Sequence, residues 1–190
     1  MPRALILAAL LAAGGWQLGQ GASVQLKAWL GQVLLERAWA GTDESPRSPW
    51  PGAVSHPVAR LHVPALGIER LVLDGAETPV LAWGPGLETG AGGHRMIAAH
   101  RDTHFRFLGQ LERGQVIELE LADRRVERWR VIAHEVVDAR TTRLDMGREG
   151  DLLTLVTCYP FDAASPGGPL RYVVSLAPAD TAAIDPAETS

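Results

Sequence analysis

The chain has 190 residues, of which 46% are hydrophobic and 21% are charged, and this combination suits one folded domain and excludes a wholly disordered chain. The formal net charge is -4 and the sequence contains no basic block, which argues against a nucleic-acid partner. Cys158 is the single cysteine, so an internal disulfide is excluded.

The N-terminal segment is apolar and carries the first functional signal. After Arg3, no charged residue occurs from Ala4 to Gln25. Its most apolar part, Ala4 to Trp16, is shorter than the roughly 20 residues that a membrane-spanning helix needs. We interpret residues 1–22 as a cleaved signal peptide or, preferably, an uncleaved anchor. The sequence therefore predicts attachment to the inner membrane with the folded domain on the periplasmic side; the alternative is a buried helix of a cytosolic protein.

An amphipathic helix and a linker are predicted next. In residues 23–40 the apolar positions Leu26, Leu30, Val33, Leu34 and Ala38 recur at helical spacing, which predicts a helix that packs on the following domain, continues as a stalk, or does both. Residues 41–57 contain four prolines and several small polar residues. Because proline interrupts regular structure, this stretch is predicted to be a linker.

From residue 58 to residue 177 the sequence is typical of a β domain. Residues 116–121 alternate apolar and acidic positions, as a half-buried strand does. Residues 104–113 are predicted to form a brief helix. The longer stretch at residues 125–139 is predicted to be a bulged or bent strand. Residues 178–190 are predicted to be a disordered tail. Short strands separated by turns favour a closed barrel or a sandwich. The predicted strands are VARLHVPAL, RLVLDG, GHRMIAAH, QVIELELAD, RVERWRVIAHEVVDA, DLLTLVTC and LRYVVSLA.

Three reactive side chains stand at the ends of predicted strands. His100 and Cys158 each follow an apolar strand, and Arg171 begins the next one. A thiolate nucleophile needs a neighbouring cation, a proton donor for its leaving group and a donor for the developing oxyanion. Histidine and arginine supply these functions. An unpaired cysteine in an exported protein is also more often reactive than structural.

These residues stand in strings that resemble the sortase family of membrane-anchored cysteine transpeptidases. Residues 154–158 read Thr-Leu-Val-Thr-Cys, matching the family pattern Thr-Leu-x-Thr-Cys, and residues 98–101 read Ala-Ala-His-Arg. The strings HRDTHF, TCYPFDA, GGPLRYVV and AWLGQVLLERAW are similar to the Gram-negative, proteobacterial subgroup. The resemblance covers residues 24–177.

The resemblance implies a mainly β fold, a closed eight-stranded barrel with short helices preceded by an N-terminal helix. It implies that Cys158 attacks the threonine carbonyl of an LPXTG-like C-terminal sorting signal on an exported protein. His100 would protonate the leaving amine and Arg171 would hold the oxyanion, after which an unidentified amine acceptor resolves the thioacyl enzyme. Substrate or oxyanion contacts are assigned to Thr157, Thr154 and Ala99. No cofactor and no metal are expected.

Ala99 departs from the family pattern, in which glycine precedes the histidine. Alanine adopts positive φ less easily than glycine, so the loop would be strained if this backbone position were left-handed. Because an apolar strand leads into His100, we expect β geometry and a benign change.

Several alternatives remain on sequence grounds. His104 competes with His100 as the acid and base, and His94, His100, His104 and Cys158 permit a zinc site. Asp102 could orient a histidine, although capping a helix that begins near His104 is the preferred interpretation. At the level of function, the alternatives are a cysteine hydrolase of the same fold, an L,D-transpeptidase, whose Ser-His-Gly-Cys arrangement is absent, and a membrane-tethered binding or zinc-binding domain.

Overall fold

The computed structural model describes residues 14, 16, 25–42, 46–147, 150–163, 165 and 167–179. In this part of the chain a helix, α1, covers residues 25–40 and a short helix, α2, covers Thr78–Leu81. Single turns of 3-10 helix cover Pro64–Leu66 and Arg106–Gln110. The strands are β1 Pro57–Val63, β2 Ile68–Asp74, β3 Gly86–Thr89, β4 Arg95–Ala98, β5 Val116–Leu121, β6 Val126–Asp138, β7 Leu153–Cys158 and β8 Leu170–Pro178.

The eight strands close into a barrel in the order β1-β2-β3-β4-β7-β8-β6-β5, and β5 pairs with β1. Most neighbours are antiparallel, whereas β2 with β3 and β4 with β7 are parallel. Closure leaves no free edge along the paired strands. This architecture confirms the predicted mainly β, eight-stranded barrel and excludes the sandwich.

Strand β3 was missing from the strands predicted by periodicity. It has four residues, Gly-Leu-Glu-Thr, which is too short for alternation to be recognised. A Cβ atom at Gly86 would lie 2.1 Å from the carbonyl oxygen of Gly75. The close approach of two backbones, which only glycine permits, therefore builds this strand into the sheet.

The barrel interior is filled by the inward residues of each strand. Ile117 and Leu119 are fully buried, as their alternation predicts, and Leu155 and Val174 face them from the other side of the cluster. The register of β6 shifts between Val131 and Ala133, which confirms the predicted bulge or bend. The barrel core is therefore apolar and continuous.

A second apolar cluster joins α1 to the outside of the barrel. Its buried members are Leu35, Trp39, Leu71, Leu73 and Val80, with Trp50 and Trp83 packed against them. The helix approaches closely here, because a Cβ atom at Gly31 would lie 2.3 Å from the indole ring of Trp83. The rings of Trp50 and Trp83 are 4.8 Å apart, so part of the predicted linker is packed against the domain.

The packed face of α1 overlaps the predicted face in part. Of the predicted positions, Ala38 is buried, together with Leu35 and Trp39, whereas Leu26 and Leu30 are 62% and 47% exposed. The contact is made by the C-terminal half of the helix, where Trp83 and the outer side of β2 provide the apolar surface. The C-terminal half therefore packs on the domain, and a stalk formed by the exposed N-terminal half stays a prediction.

The two ends of the chain lie largely beyond the described residues. Apart from Gly14 and Trp16, the predicted signal or anchor segment is outside them, and so are residues 180–190. Among the residues that are described, no helix is both long and apolar enough to cross a bilayer. Pro178, which was assigned to the disordered tail, instead ends β8, because the Ala179 amide donates to Arg128 O at 2.8 Å.

Truncating the core should destabilise the barrel strongly. Leu155 is fully buried in β7, so Leu155→Ala is expected to lower the free energy of unfolding by about 3 kcal/mol through lost burial and a cavity. The matched control is Leu30→Ala on the exposed half of α1, for which urea unfolding should show a change within about 0.5 kcal/mol. Equal effects of the two changes would contradict the placement of these residues.

The turn after β6 should make stability depend on acid pH. Hydrogen bonds from the Arg140 side chain and backbone lower the pKa of Asp138 to about 2. A carboxyl group whose pKa is lowered in the folded state stabilises the fold above its unfolded pKa of about 3.9, and this contribution is lost as the pH falls through the folded value. Asp138→Asn should therefore lower Tm at pH 6 and have a progressively smaller effect as the pH is lowered from 4 towards 2. A Tm difference that is the same at pH 6 and at pH 2 would contradict this assignment.

Candidate active site

The three candidate residues lie on, or just after, neighbouring strands of the barrel. β4 pairs in parallel with β7, with Ala98 opposite Val156. The Ala99 amide donates to Val156 O at 3.2 Å, so the chain follows β7 up to the residue before His100. On the other side of β7, Cys158 is the direct partner of Arg171 in the antiparallel pair with β8. The order β4-β7-β8 therefore pairs the cysteine with the arginine and places the histidine two residues after the end of the strand on the other side of β7.

The cysteine and arginine side chains belong to the outer face of the sheet. Successive side chains alternate between the faces of a strand. Ile97, Ala99 and Leu155 belong to the barrel core, and Tyr172 packs against it. In alternation with these inward positions, Cys158 of β7 and Arg171 of β8 face outward together, and His100 follows the end of β4. His100 is exposed, and Cys158 and Arg171 are partly buried.

Arg171 is held by the loop that precedes it. Its Nη1 atom donates to Gly168 O at 2.7 Å and to Leu170 O at 2.9 Å. Within the described part of the chain, its Nε and Nη2 atoms make no hydrogen bond, and none joins the His100 ring to the Cys158 thiol. The arginine is thus fixed at one nitrogen and keeps donors for a bound group.

Ala99 and Thr157 tie the histidine strand to the cysteine strand. The Thr157 hydroxyl donates to Ala99 O at 2.8 Å, and the Ala99 amide donates to Val156 O at 3.2 Å. Thr157 is 2% exposed, so its side chain faces the protein rather than a substrate. Arg124 is the only described residue other than glycine with a positive φ. Ala99 is therefore outside the left-handed region, and the change from glycine is benign, as expected.

Thr154 has a buried partner that sequence reasoning missed. His94 Nε2 and Thr154 Oγ1 are 2.7 Å apart, and His94 Nδ1 is 3.1 Å from Asp145 O. Both residues are buried, so Thr154 fixes β7 to the loops that precede β4 and β7 and has no access to a substrate. The pairing spans 60 positions, and the sequence contains no local signal for it.

The zinc alternative finds no support in this arrangement. Both ring nitrogens of His94 are engaged within the protein. Among the described residues, no group of three or more His, Cys, Asp or Glu side chains could hold a metal ion. The proposed set of His94, His100, His104 and Cys158 is therefore not gathered at one point.

His104 lies on a different side of the loop that follows His100. It lines a cavity of about 300 Å³ between α1 and β2, together with Arg70 and Thr103. Burial lowers the pKa of His104, and the positive charge of Arg70 adds to this effect. The imidazole of His104 is therefore neutral at pH 7, which makes it a poor proton donor.

Asp102 pairs with its neighbour rather than capping a helix. Its carboxylate accepts from Arg101 Nε at 2.7 Å and from Nη2 at 2.9 Å, and this hydrogen bonding lowers the pKa of Asp102. The predicted cap was wrong because the 3-10 turn starts later, at Arg106, and its N-cap residue Phe105 has no side-chain cap. No hydrogen bond to a histidine ring is found for Asp102 in the described residues.

The sortase domain model matches residues 61–179, which is more than half of the chain. The chain belongs to the sortase family. The match includes β4, β7 and β8 and therefore all three candidate residues. Family membership agrees with the closed barrel, which was expected from the resemblance of the motifs.

Individual relatives agree with this family. The chain is 28% identical over 120 residues to Sortase D of Bacillus subtilis (strain 168), and the match covers 60% of each protein. Sortase A from Corynebacterium diphtheriae has the same fold, with a TM-score of 0.57, 20% identity and coverage of 82% of this chain and 87% of the other. Sortase C from Clostridium perfringens, solved with the C-terminal cell wall sorting motif, has a TM-score of 0.54 and 19% identity, and the match covers 79% of this chain and 88% of the other.

Loss of the Thr157 hydroxyl should weaken the tie between β4 and β7. Thr157→Val keeps the shape but leaves the buried Ala99 carbonyl without this donor, which is expected to cost about 1–3 kcal/mol of unfolding free energy. Thr157→Ser retains the hydroxyl and serves as the control. Urea unfolding of both variants measures the difference, and equal stabilities would show that the hydrogen bond contributes nothing.

Proposed function

We propose that this protein is a cysteine transpeptidase that cleaves an LPXTG-like C-terminal sorting signal between threonine and glycine and transfers the acyl part to an amine. The observation that carries the proposal is that Cys158 and Arg171 are direct partners at the ends of β7 and β8, with His100 two residues after the end of the neighbouring strand β4. Membership in a family of cysteine transpeptidases supports the reaction class. The C. perfringens structure with its sorting motif supports the substrate class.

The first half of the reaction forms a thioacyl enzyme. Cys158 Sγ attacks the carbonyl carbon of the substrate threonine, and Arg171 Nε and Nη2 stabilise the oxyanion as it forms. The bond between threonine and glycine then breaks, and His100 gives a proton to the leaving amine. The Sγ–C bond replaces the C–N bond, so the acyl part remains attached to the protein.

The second half of the reaction releases the product. An acceptor amine attacks the thioester carbon and loses a proton to His100, a new C–N bond forms, and Cys158 leaves as a thiolate. Water in place of the amine would make the protein a hydrolase. The access of each acceptor to the thioester decides between these two outcomes.

The cellular setting follows from the N-terminal sequence. Arg3 precedes an uncharged run from Ala4 to Gln25. This pattern supports a single anchor in the inner membrane, with the barrel on the periplasmic side. An exported protein with a sorting signal would meet the enzyme there. Membership in the Gram-negative subgroup of the family stays a prediction. It is supported by the strings HRDTHF, TCYPFDA and GGPLRYVV.

The proposal predicts a covalent intermediate. The purified full-length protein mixed with an LPXTG peptide should gain, in intact-mass spectrometry, the mass of the acyl part that ends at threonine. Cys158→Ala should form no adduct, and His100→Ala should form it about 10²–10⁴-fold more slowly. His104→Gln is the matched control and should react at the wild-type rate, because His104 lies on the other side of the loop.

Two results would argue against this function. Wild-type protein that forms no adduct with any peptide of a set varied around LPXTG would contradict the sortase reaction. A stronger loss in His104→Gln than in His100→Ala would reverse the assignment of the histidines. If the adduct forms, adding candidate amines and identifying the products by mass will name the acceptor class.

A further inference from the structure

We propose that Arg101 is a positioning residue that fixes the loop after Cys158 relative to His100. This inference rests on the proposed function, because the two residues that Arg101 holds together are the proposed nucleophile and the proposed acid. Arg101 follows His100 directly in the chain. Its side chain extends to the residues after Cys158 and not into solvent.

The contacts of Arg101 cross between the two loops. Nη1 donates to Pro160 O at 2.5 Å and Nη2 donates to Ala163 O at 3.1 Å. Nε and Nη2 also donate to the carboxylate of Asp102. One edge of the guanidinium therefore binds Asp102, and Nη1 and Nη2 bind the two loop carbonyl groups. Arg101 is 5% exposed, and a buried arginine with a planar set of donors is a rigid connection.

A second contact acts at the same place. Phe161 lies between the two carbonyl groups that Arg101 binds, and its ring packs under the 3-10 turn that follows His100. A Cβ atom at Gly109 would lie 3.0 Å from Phe161 Cε2. Phe161 also packs edge-on against Tyr159 and Tyr172, with ring centroids 5.8 and 5.0 Å away. The loop after Cys158 is thus held at its backbone by Arg101 and at its side chain by this turn.

The charge of Arg101 is held by its neighbour. The hydrogen bond to Asp102 raises the pKa of Arg101, although burial acts in the opposite direction. The guanidinium therefore stays charged while it binds the two carbonyl groups of the loop. The register of β4 and β7 aligns the strands up to Ala98 and Val156, and Arg101 continues that alignment into the loops.

Substituting Arg101 should impair catalysis without weakening substrate binding. In Arg101→Ala, the rate of thioacyl formation at saturating LPXTG peptide is expected to fall roughly 10- to 100-fold, because small misplacements of reacting groups have effects of this size. The KM for the peptide should stay unchanged. Arg101→Lys should recover part of the rate, since an ammonium group reaches one carbonyl but cannot bridge both.

Two further measurements separate positioning from a general loss of stability. Added methylguanidinium should restore part of the rate in Arg101→Ala and none in Cys158→Ala. Amide hydrogen exchange of residues 159–163 should accelerate in Arg101→Ala by roughly tenfold. The matched control is Arg106→Ala, an exposed arginine on the same loop, and it should leave both the rate and the exchange unchanged.

The outcomes distinguish this inference from the proposed function. Normal thioacyl formation or unchanged exchange in Arg101→Ala would overturn the positioning role and leave the transpeptidase intact. Equal losses in Arg101→Ala and Arg106→Ala would also overturn it, because the effect would then follow charge and not the bridging contacts. Wild-type protein without any adduct would overturn the proposed function and, with it, the catalytic role of Arg101, whatever the exchange shows.

Discussion

The register between β4, β7 and β8 is the constraint on which the site depends. Side chains alternate with a period of two, so a slip of one residue in β7 would turn Cys158 into the barrel and Thr157 out of it. The slip is opposed by the apolar side of the strand, where Leu153 and Leu155 are fully buried. The barrel core therefore specifies the position of Cys158, the proposed nucleophile, although none of the core residues has a role in the proposed reaction.

Buried polar contacts fix both ends of β7, in addition to the strand register. The Thr157 hydroxyl donates to the carbonyl of Ala99, between the end of β4 and His100, and the pair formed by Thr154 and His94 fixes the opposite end of β7. Both threonines belong to the motif that resembles the family pattern, and both are buried. Their place in the motif is explained by holding the cysteine strand, which is a different task from contacting the substrate.

The barrel could be predicted from the sequence because its signals are local. Alternation identified most strands, and short motifs at predicted strand ends singled out His100, Cys158 and Arg171, whose roles stay a prediction. The strand β3 could not be found, since it depends on two backbones meeting at Gly86. The contacts of Arg101 could not be predicted from the sequence either, because the two carbonyl groups that it binds lie 59 and 62 positions away along the chain. Contacts of that range have no periodicity in the sequence.

The packing of α1 has a practical consequence for handling the protein. The buried residues Leu71, Leu73 and Val80 are covered from outside by Leu35 and Trp39 of the helix. A shortened chain that starts in the proline-rich stretch would lack this cover and present an apolar surface to solvent, which promotes aggregation. A shortened version of the protein must therefore keep the helix, even though Cys158 and Arg171 lie in the barrel.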